Sequence, residues 1–514
     1  MVKNSMVKNI MNNYNNILSK YPIISSFFAG SLLKFAFNNS KYFGFILFML
    51  SFDMLITLLN NFLQNKNIKL SFITGYLFGF SYFFFSLTWI TQSFIYVGLN
   101  QFYGYLALLL LVIGLSLYPA IVCSLTVYLS TNKFNLNIYF AIFWTISEYL
   151  RSMLFTGFPW NLVGYASYRF HYFIQIADIL GIFGVSFILL LIVLLLKNRK
   201  QYIYGIILLL ITALYGFYKI EIFNGYIIPS KTNNIIIVHP SIKQENKLDN
   251  RLFWNNVDLQ IYLSSVSNIN KNNKTLIIWP EAAVNNVANE VITKYLSSTL
   301  TNSNTLLLTG IYRIDNNNTY NSSVIINNKN EVIKYYDKRH LVPFGEYIPN
   351  WVNKIGLNKI SFDDSGFSFG KTKNTISIDG YRQFDMCICY EIIFPGKVMD
   401  SPVTSEWILN ITNDAWFVNS DEQYQHLIMT CFRAIEQGRS IARCNNNGIS
   451  AIIDCSGKMI KSLDIDVVGN IYEEMPKKYY NTIYSKYNNS IILSILGTLL
   501  LILIYITHIR KHYK

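Results

Sequence analysis

Charge is scarce in this chain: 14% of its 514 residues are Asp, Glu, Lys or Arg, 52% are hydrophobic, and the mean hydropathy is +0.28. That shortage excludes an ordinary soluble protein of this length and points to the membrane class. Acidic residues are the scarcer sign, 29 against 43 Lys plus Arg, leaving a net charge of +14. The excess fits positive-inside loops and a surface facing anionic lipid. A nucleic-acid role would need a clustered basic face on a folded module, and none is visible. The six cysteines (Cys123, Cys387, Cys389, Cys431, Cys444 and Cys455) include no C-x-x-C pair, which excludes zinc-ribbon and thioredoxin readings. Cys387 and Cys389 are two apart on a strand-like run and cannot easily bridge each other. The histidines show no metal spacing, so His340 and His426 read as hydrogen-bonded structural groups and no metal is expected. No small-residue cleavage site follows the first apolar run, so the first span is expected to serve as the export signal. Internal repeats are also lacking.

What the chain has is long apolar runs. Seven lie near 22–38, 43–62, 70–94, 103–130, 137–155, 173–196 and 202–219, and an eighth near 491–507. They give about eight helical spans. With the N-terminus inside, Lys66, Lys69, Lys133, Lys197, Lys200 and the tail Arg510-Lys511-His512-Tyr513-Lys514 fall on the cytoplasmic side, against Lys41 and Arg151. The polar, Asn-rich region 221–488 then lies outside the cytoplasm, between a membrane domain at 1–220 and a last span with a basic tail at 489–514. Its β-branched runs (234–238, 275–279, 305–311, 323–326, 384–389, 407–411 and 449–453) alternate with helical patterns near 249–268, 284–301 and 421–440. This alternation predicts an α/β layered domain. Asn316–Asn318 and Asn445–Asn447 read as turns. In the membrane part, Gly75 and Gly79 have the spacing of close helix packing. Glu148 and Arg151 have the spacing of either an ion pair or an intramembrane functional pair.

Three residues stand at ends of apolar β-type runs and carry the types that acyl transfer needs. Cys389 ends the run Met386-Cys387-Ile388-Cys389, where a strand end exposes one side chain. A thiol acts as a nucleophile once its pKa is lowered, and a nearby ammonium would do that. Cys387 lies deeper, though strand alternation puts it on the same face. Lys338, in Tyr336-Asp337-Lys338-Arg339-His340, could hold a thiolate and an oxyanion. Glu281 follows Trp279-Pro280, and the proline ends the strand and aims the next side chain outward; burial would suit it to general base work.

Trp279-Pro280-Glu281, Lys338 before His340-Leu341-Val342-Pro343-Phe344-Gly345-Glu346, and Ile388-Cys389-Tyr390-Glu391 resemble the three signature blocks of the carbon–nitrogen hydrolase (nitrilase) superfamily. The blocks Asn413-Asp414-Ala415-Trp416-Phe417 and Arg443…Asn446-Asn447-Gly448 extend the match. With Glu148-Tyr149-Leu150-Arg151, Thr156-Gly157-Phe158-Pro159-Trp160 and the order of spans, domain and final span, the chain resembles the apolipoprotein N-acyltransferase family over nearly its whole length. The resemblance implies an αββα nitrilase-like sandwich. It also implies ping-pong acyl transfer from the sn-1 position of a phospholipid, through a Cys389 thioester, to the α-amine of a diacylglyceryl-apolipoprotein. Glu281 would be the base and Lys338 the oxyanion partner. Glu346, Tyr390 and Glu391 would support the site and Trp416 would lie near it. No cofactor is implied, the enzyme would sit in the bacterial inner membrane with its catalytic domain on the periplasmic side, and a monomer is expected.

One departure is that Lys247 is followed by Leu248 where many relatives have tryptophan; the nearest is Trp254. The apolar stretch 347–369, with Trp351, Ile355 and Phe362, is expected to form a lid that admits lipid. Two rivals remain: a membrane-tethered amidase acting on a small amide, and a transporter or assembly factor that has lost catalysis.

Overall fold

The computed structural model describes residues 13–38, 42–198, 201–224, 233–265, 273–287, 290–297, 300, 303–349, 366–475 and 480–512. The expected lid residues Trp351, Ile355, Leu357, Ile360 and Phe362 lie outside the described residues, as do Lys41 and Lys200. The described residues fall into two units, drawn from 1–95, 99–219 and 489–514 and from 96–98 and 220–488.

The first unit is helical. Among the described residues, six helices are long and apolar enough to cross a membrane: Tyr42–Leu63, Ile68–Ser86, Gln101–Leu129, Phe173–Leu196, Tyr202–Glu221 and Ser490–Thr507. Of the other two expected spans, Pro22–Phe37 is short, and Lys133–Met153 is long enough but too polar. That second helix buries Asn135, Asn137, Glu148 and Arg151. Arg151 Nη1 donates to the carbonyls of Phe158 and Trp160, each at 2.8 Å, while Glu148 Oε1 accepts from Val163 N at 2.7 Å. Both charges thus clasp the chain that follows their own helix, which supplies the polar partners that lipid lacks. Gly75 and Gly79 do mark close packing. A Cβ on Gly75 would stand 2.5 Å from Pro119 O, and one on Gly79 would stand 2.9 Å from Pro119 Cγ.

The second unit is built on two sheets. One contains β1 (Asn233–His239), β2 (Lys274–Ile278), β3 (Val284–Val287), β4 (Thr305–Asp315), β5 (Asn318–Ile326), β6 (Val332–Asp337) and β13 (Gly469–Glu474), ordered β13-β1-β2-β4-β5-β6 with β3 beside β4. The other contains β7 (Thr375–Ile376), β8 (Phe384–Ile388), β9 (Trp407–Thr412), β10 (Ile441–Asn445), β11 (Ser450–Ile453) and β12 (Met459–Leu463), ordered β12-β11-β10-β9-β8-β7. The central triplets β1-β2-β4 and β8-β9-β10 are parallel, β3 runs parallel to β4, and the other flanking strands are antiparallel.

Strand alternation sorts the apolar residues into layers. Ile235, Ile237, Leu276 and Ile278 meet Met386, Ile388, Leu409 and Ile411 between the sheets. Ile236, Val238 and Ile277 face the other way, onto Val257 and Leu263 of the helix Phe253–Ser265 and Ile292 and Leu296 of the helix Glu290–Ser297. The helix Glu422–Gln437 covers the second sheet and ends at Gly438, whose φ of 61° suits a left-handed cap. The four-layer αββα sandwich expected from the sequence is the observed fold. Asn316 and Asn317, both at positive φ, turn β4 into β5. The helix expected over 284–301 is split, because Val284-Asn285-Asn286-Val287 pairs with β4 and the helix starts at Glu290. Asparagines and β-branched valines are weak helix formers and yield to the sheet edge.

Replacing Gly75 by Val should lower stability by about 1–3 kcal/mol. Gly114→Ala, where a Cβ meets nothing within 4 Å, should stay within about 0.5 kcal/mol of wild type. Thermal unfolding in detergent reads both, and equal losses would refute the close-packing account.

Candidate active site

Three strand ends supply the site. After β2, Pro280 lacks a donor and ends the strand, Glu281 follows it, and Ala282 turns back at φ 45°. Gly310 of β4 makes room for this turn, since a Cβ there would stand 2.4 Å from Ala282 N and 2.5 Å from Pro280 O. After β6, Lys338 N donates to Asn321 O at 2.9 Å. The preceding Asp337 is gripped by Arg313 at 3.0 and 2.7 Å and by Ser322 Oγ at 2.6 Å. After β8, Cys389 starts a 3₁₀ turn with φ of 50°. This break in the strand separates the two thiols that alternation alone would place together. Cys387 is buried, its Sγ 3.5 Å from Val398 O, whereas Cys389 is half-buried.

The Lys338 ammonium, 1% exposed, stands 3.1 Å from Glu281 Oε1 and 2.9 Å from Glu346 Oε1. Asn321 Nδ2 donates to both carboxylates at 2.8 Å, one hydrogen to each, and Glu346 Oε2 accepts from Val342 N at 2.7 Å. Burial alone would push the Lys338 ammonium down, but Glu281 and Glu346 outweigh it and hold it well above its ordinary range. The Cys389 thiol goes the opposite way from the sequence expectation. Burial pushes it well up, the Glu281 carboxylate adds to that, and the Lys338 ammonium opposes without prevailing. The resting site therefore pairs a protonated thiol with a carboxylate, an arrangement that calls for a base at the moment of attack.

Glu391 anchors the turn. Its Oε1 accepts from Tyr336 Oη at 2.8 Å, Arg339 N at 2.8 Å and His340 N at 3.1 Å, and its Oε2 accepts from Ile388 N at 2.7 Å. Tyr390 is buried with its ring edge-on to Phe394, and the His340 ring stacks on Phe394 at 3.8 Å. Trp416 is half-buried in the turn Asp414–Phe417 after β9. Trp254 lies half-exposed on its helix, edge-on to Tyr295 at 5.0 Å.

Asn321 was not singled out from the sequence, where it is one asparagine among many. Nor was the buried network of Arg443, Asp414, His426 and Asn445, although Arg443 and Asp414 lie in recognised blocks. Arg443 Nη2 is 2.6 Å from Asp414 Oδ2, Asn445 Nδ2 is 2.7 Å from the same oxygen, and His426 Nδ1 is 3.1 Å from Asp414 Oδ1. Ligand atoms of Asp414, Glu422 and His426 lie within 4.8 Å of one another, a spacing that a metal ion could bridge. The guanidinium already supplies a cation there, and the set reads as a salt-bridge network.

Residues 29–195 match the apolipoprotein N-acyltransferase N-terminal domain, and residues 231–484 match the carbon–nitrogen hydrolase domain. The chain is similar to the apolipoprotein N-acyltransferase of Rhizobium rhizogenes, 32% identical over 424 residues, covering 78% of this chain and 79% of the relative. It is 33% identical over 449 residues to that of Rickettsia bellii, covering 83% and 87%. With that of Wigglesworthia glossinidia brevipalpis it shares 31% over 491 residues, covering 91% and 94%.

Burial is the main cause of the raised Cys389 thiol and Glu281 adds to it, so Glu281→Gln should lower the pH midpoint of Cys389 alkylation. The sign follows from removing a negative charge while the Lys338 ammonium stays. Mass spectrometry across a pH series reads it, and an unchanged or raised midpoint would contradict the assigned electrostatics.

Proposed function

The chain belongs to the apolipoprotein N-acyltransferase family, and on that premise we propose that it moves a fatty acyl chain from the sn-1 position of a phospholipid to the α-amino group of an apolipoprotein's N-terminal diacylglyceryl-cysteine. The observation that carries the reading is the buried Lys338 ammonium between Glu281 and Glu346, electrostatically coupled to a Cys389 thiol at a strand end.

In the first half-reaction Glu281 takes the thiol proton as Cys389 Sγ bonds to the ester carbonyl carbon. Charge develops on the carbonyl oxygen, and the Lys338 ammonium is the donor that meets it. Collapse breaks the ester C–O bond, Glu281 returns the proton to the leaving alcohol, and a lysophospholipid departs, leaving the thioester. In the second half the lipoprotein amine attacks, Glu281 takes its proton, the C–S bond breaks, and the proton returns to sulfur. A thioester conserves the energy of the ester, so the exchange to an amide needs no ATP and no organic cofactor. Asn321 and Glu346 keep Lys338 aimed, Tyr390 and Glu391 hold the nucleophile's turn, and Trp416 lies near the site. The protein is a bacterial membrane protein. A place in the inner membrane and a monomeric state complete the reading, as does a periplasmic position of 221–488, which the distribution of Lys and Arg among the loops supports.

Intact-protein mass spectrometry after incubation with phospholipid tests it. Wild type and Cys387→Ala should gain a hydroxylamine-labile fatty-acyl mass, and Cys389→Ala should not. No adduct on folded wild type, together with turnover of small amides, would favour a hydrolase instead. Asn321→Leu should slow adduct formation by about tenfold or more, by leaving two carboxylates short of a donor; a wild-type rate would remove Asn321 from the site.

A further inference from the structure

The turn that carries Glu281 is bent through a left-handed Ala282, a conformation that is strained for a residue with a Cβ and persists only where the surroundings fix it. Its carbonyls are held by donors from separate elements. Pro280 O accepts from Gly310 N at 3.2 Å, Glu281 O from Lys247 Nζ at 2.9 Å, and Ala283 O from Gln260 Nε2 at 3.2 Å. Lys247 is the charged member of this set and is 6% exposed.

The base of Lys247 is itself fastened elsewhere. It belongs to the helical turn Gln244–Leu248, and Gln244 Oε1 accepts from Asn413 Nδ2 at 3.0 Å, just beyond β9. Ser241 N donates to Asn446 O and Asn446 Nδ2 donates to Ile242 O, both at 2.8 Å, just beyond β10. The segment 241–248 is therefore fixed to the strand ends of the second sheet, while its ammonium grips a main-chain carbonyl of the first. We propose that Lys247 is a positioning residue that sets the Glu281 carboxylate in reach of Cys389, acting through the Glu281 carbonyl. The proposal rests on the reading of Glu281 as the base.

The Glu281 carbonyl gives the buried Lys247 ammonium a main-chain acceptor. Burial pushes this ammonium down to about 8, with Glu281 from the first sheet and the Cys444 thiol from β10 working the other way. Both the charged and the neutral amine can donate to the carbonyl, so the tie survives changes of pH.

The test is the rate of thioester formation from phospholipid, measured on the full-length chain in detergent for wild type, Lys247→Met, Lys247→Arg and Glu281→Gln. Lys247→Met should melt as a folded protein, acylate slower by about tenfold or more and keep its KM for phospholipid within about twofold. Lys247→Arg, which keeps a donor of sufficient reach, should recover most of the rate. If Lys247→Met does not fold, Lys247→Gln, too short to reach the carbonyl, is measured in its place with the same expected loss. A wild-type rate in the Met or Gln variant, an Arg variant as slow as Met, or a loss confined to KM would overturn the proposal. Absence of thioester in wild type itself would instead overturn the reading of the site, so the two failures are distinguishable.

Discussion

The site depends on one carboxylate that does no chemistry. Glu281 and Lys338 stand at the ends of β2 and β6 in one sheet, and Cys389 at the end of β8 in the other. Glu391 spans that division, taking Ile388 N beside the thiol with one oxygen and Tyr336, Arg339 and His340 beside the lysine with the other. This clamp adds direct polar registration of nucleophile and ammonium to the apolar layer between the sheets, which by itself tolerates shifts larger than catalysis does. Hydrogen bonds to a buried carboxylate are among the stronger ones available, because donors and acceptor share a water-poor surrounding.

The electrostatic arrangement has an economy of its own. At rest the cluster holds one ammonium and two carboxylates. When Glu281 takes the thiol proton, its negative charge moves to sulfur, and the total within the cluster does not change. A buried site resists changes of net charge far more than movements of charge within it. The high resting position of the thiol is therefore compatible with reactivity, since thiolate need exist only while the base is protonated.

Much of this was legible in the sequence, and for definite reasons. Glu281, Lys338 and Cys389 announce themselves because each follows a short apolar run, where a strand end puts one side chain at the sheet's edge. Asn321 does not, because the chain is so rich in asparagine that another one carries no signal, and its role appears only when β5 brings it between two carboxylates. β10 was hidden because Ile441-Ala442-Arg443-Cys444-Asn445 has charged and polar members, yet all five are buried, with the two terminal nitrogens of Arg443 held by Asp414 and Asn410. The direction of the thiol's shift could not be read from residue types, because it is set first by how far the fold withdraws the sulfur from water, with the Glu281 carboxylate adding to that and the Lys338 ammonium opposing it. Glu148 and Arg151 have a spacing equally suited to pairing with each other, and the carbonyls and amide that hold them come from a loop with no distinctive composition.

The helix Lys133–Met153 bears on how the protein is made. Ionic side chains are costly to place in lipid, and this helix carries Glu148 and Arg151 in its last turns. Several of the groups that satisfy them, the carbonyls of Phe158 and Trp160 and the amide of Val163, leave the ribosome only afterwards. The segment is thus too polar to stand in lipid by itself, in contrast to the apolar helix Phe173–Leu196 that follows. Satisfaction of the segment's two charges depends on the loop after the helix folding back onto it, so the helix and that loop form one structural unit.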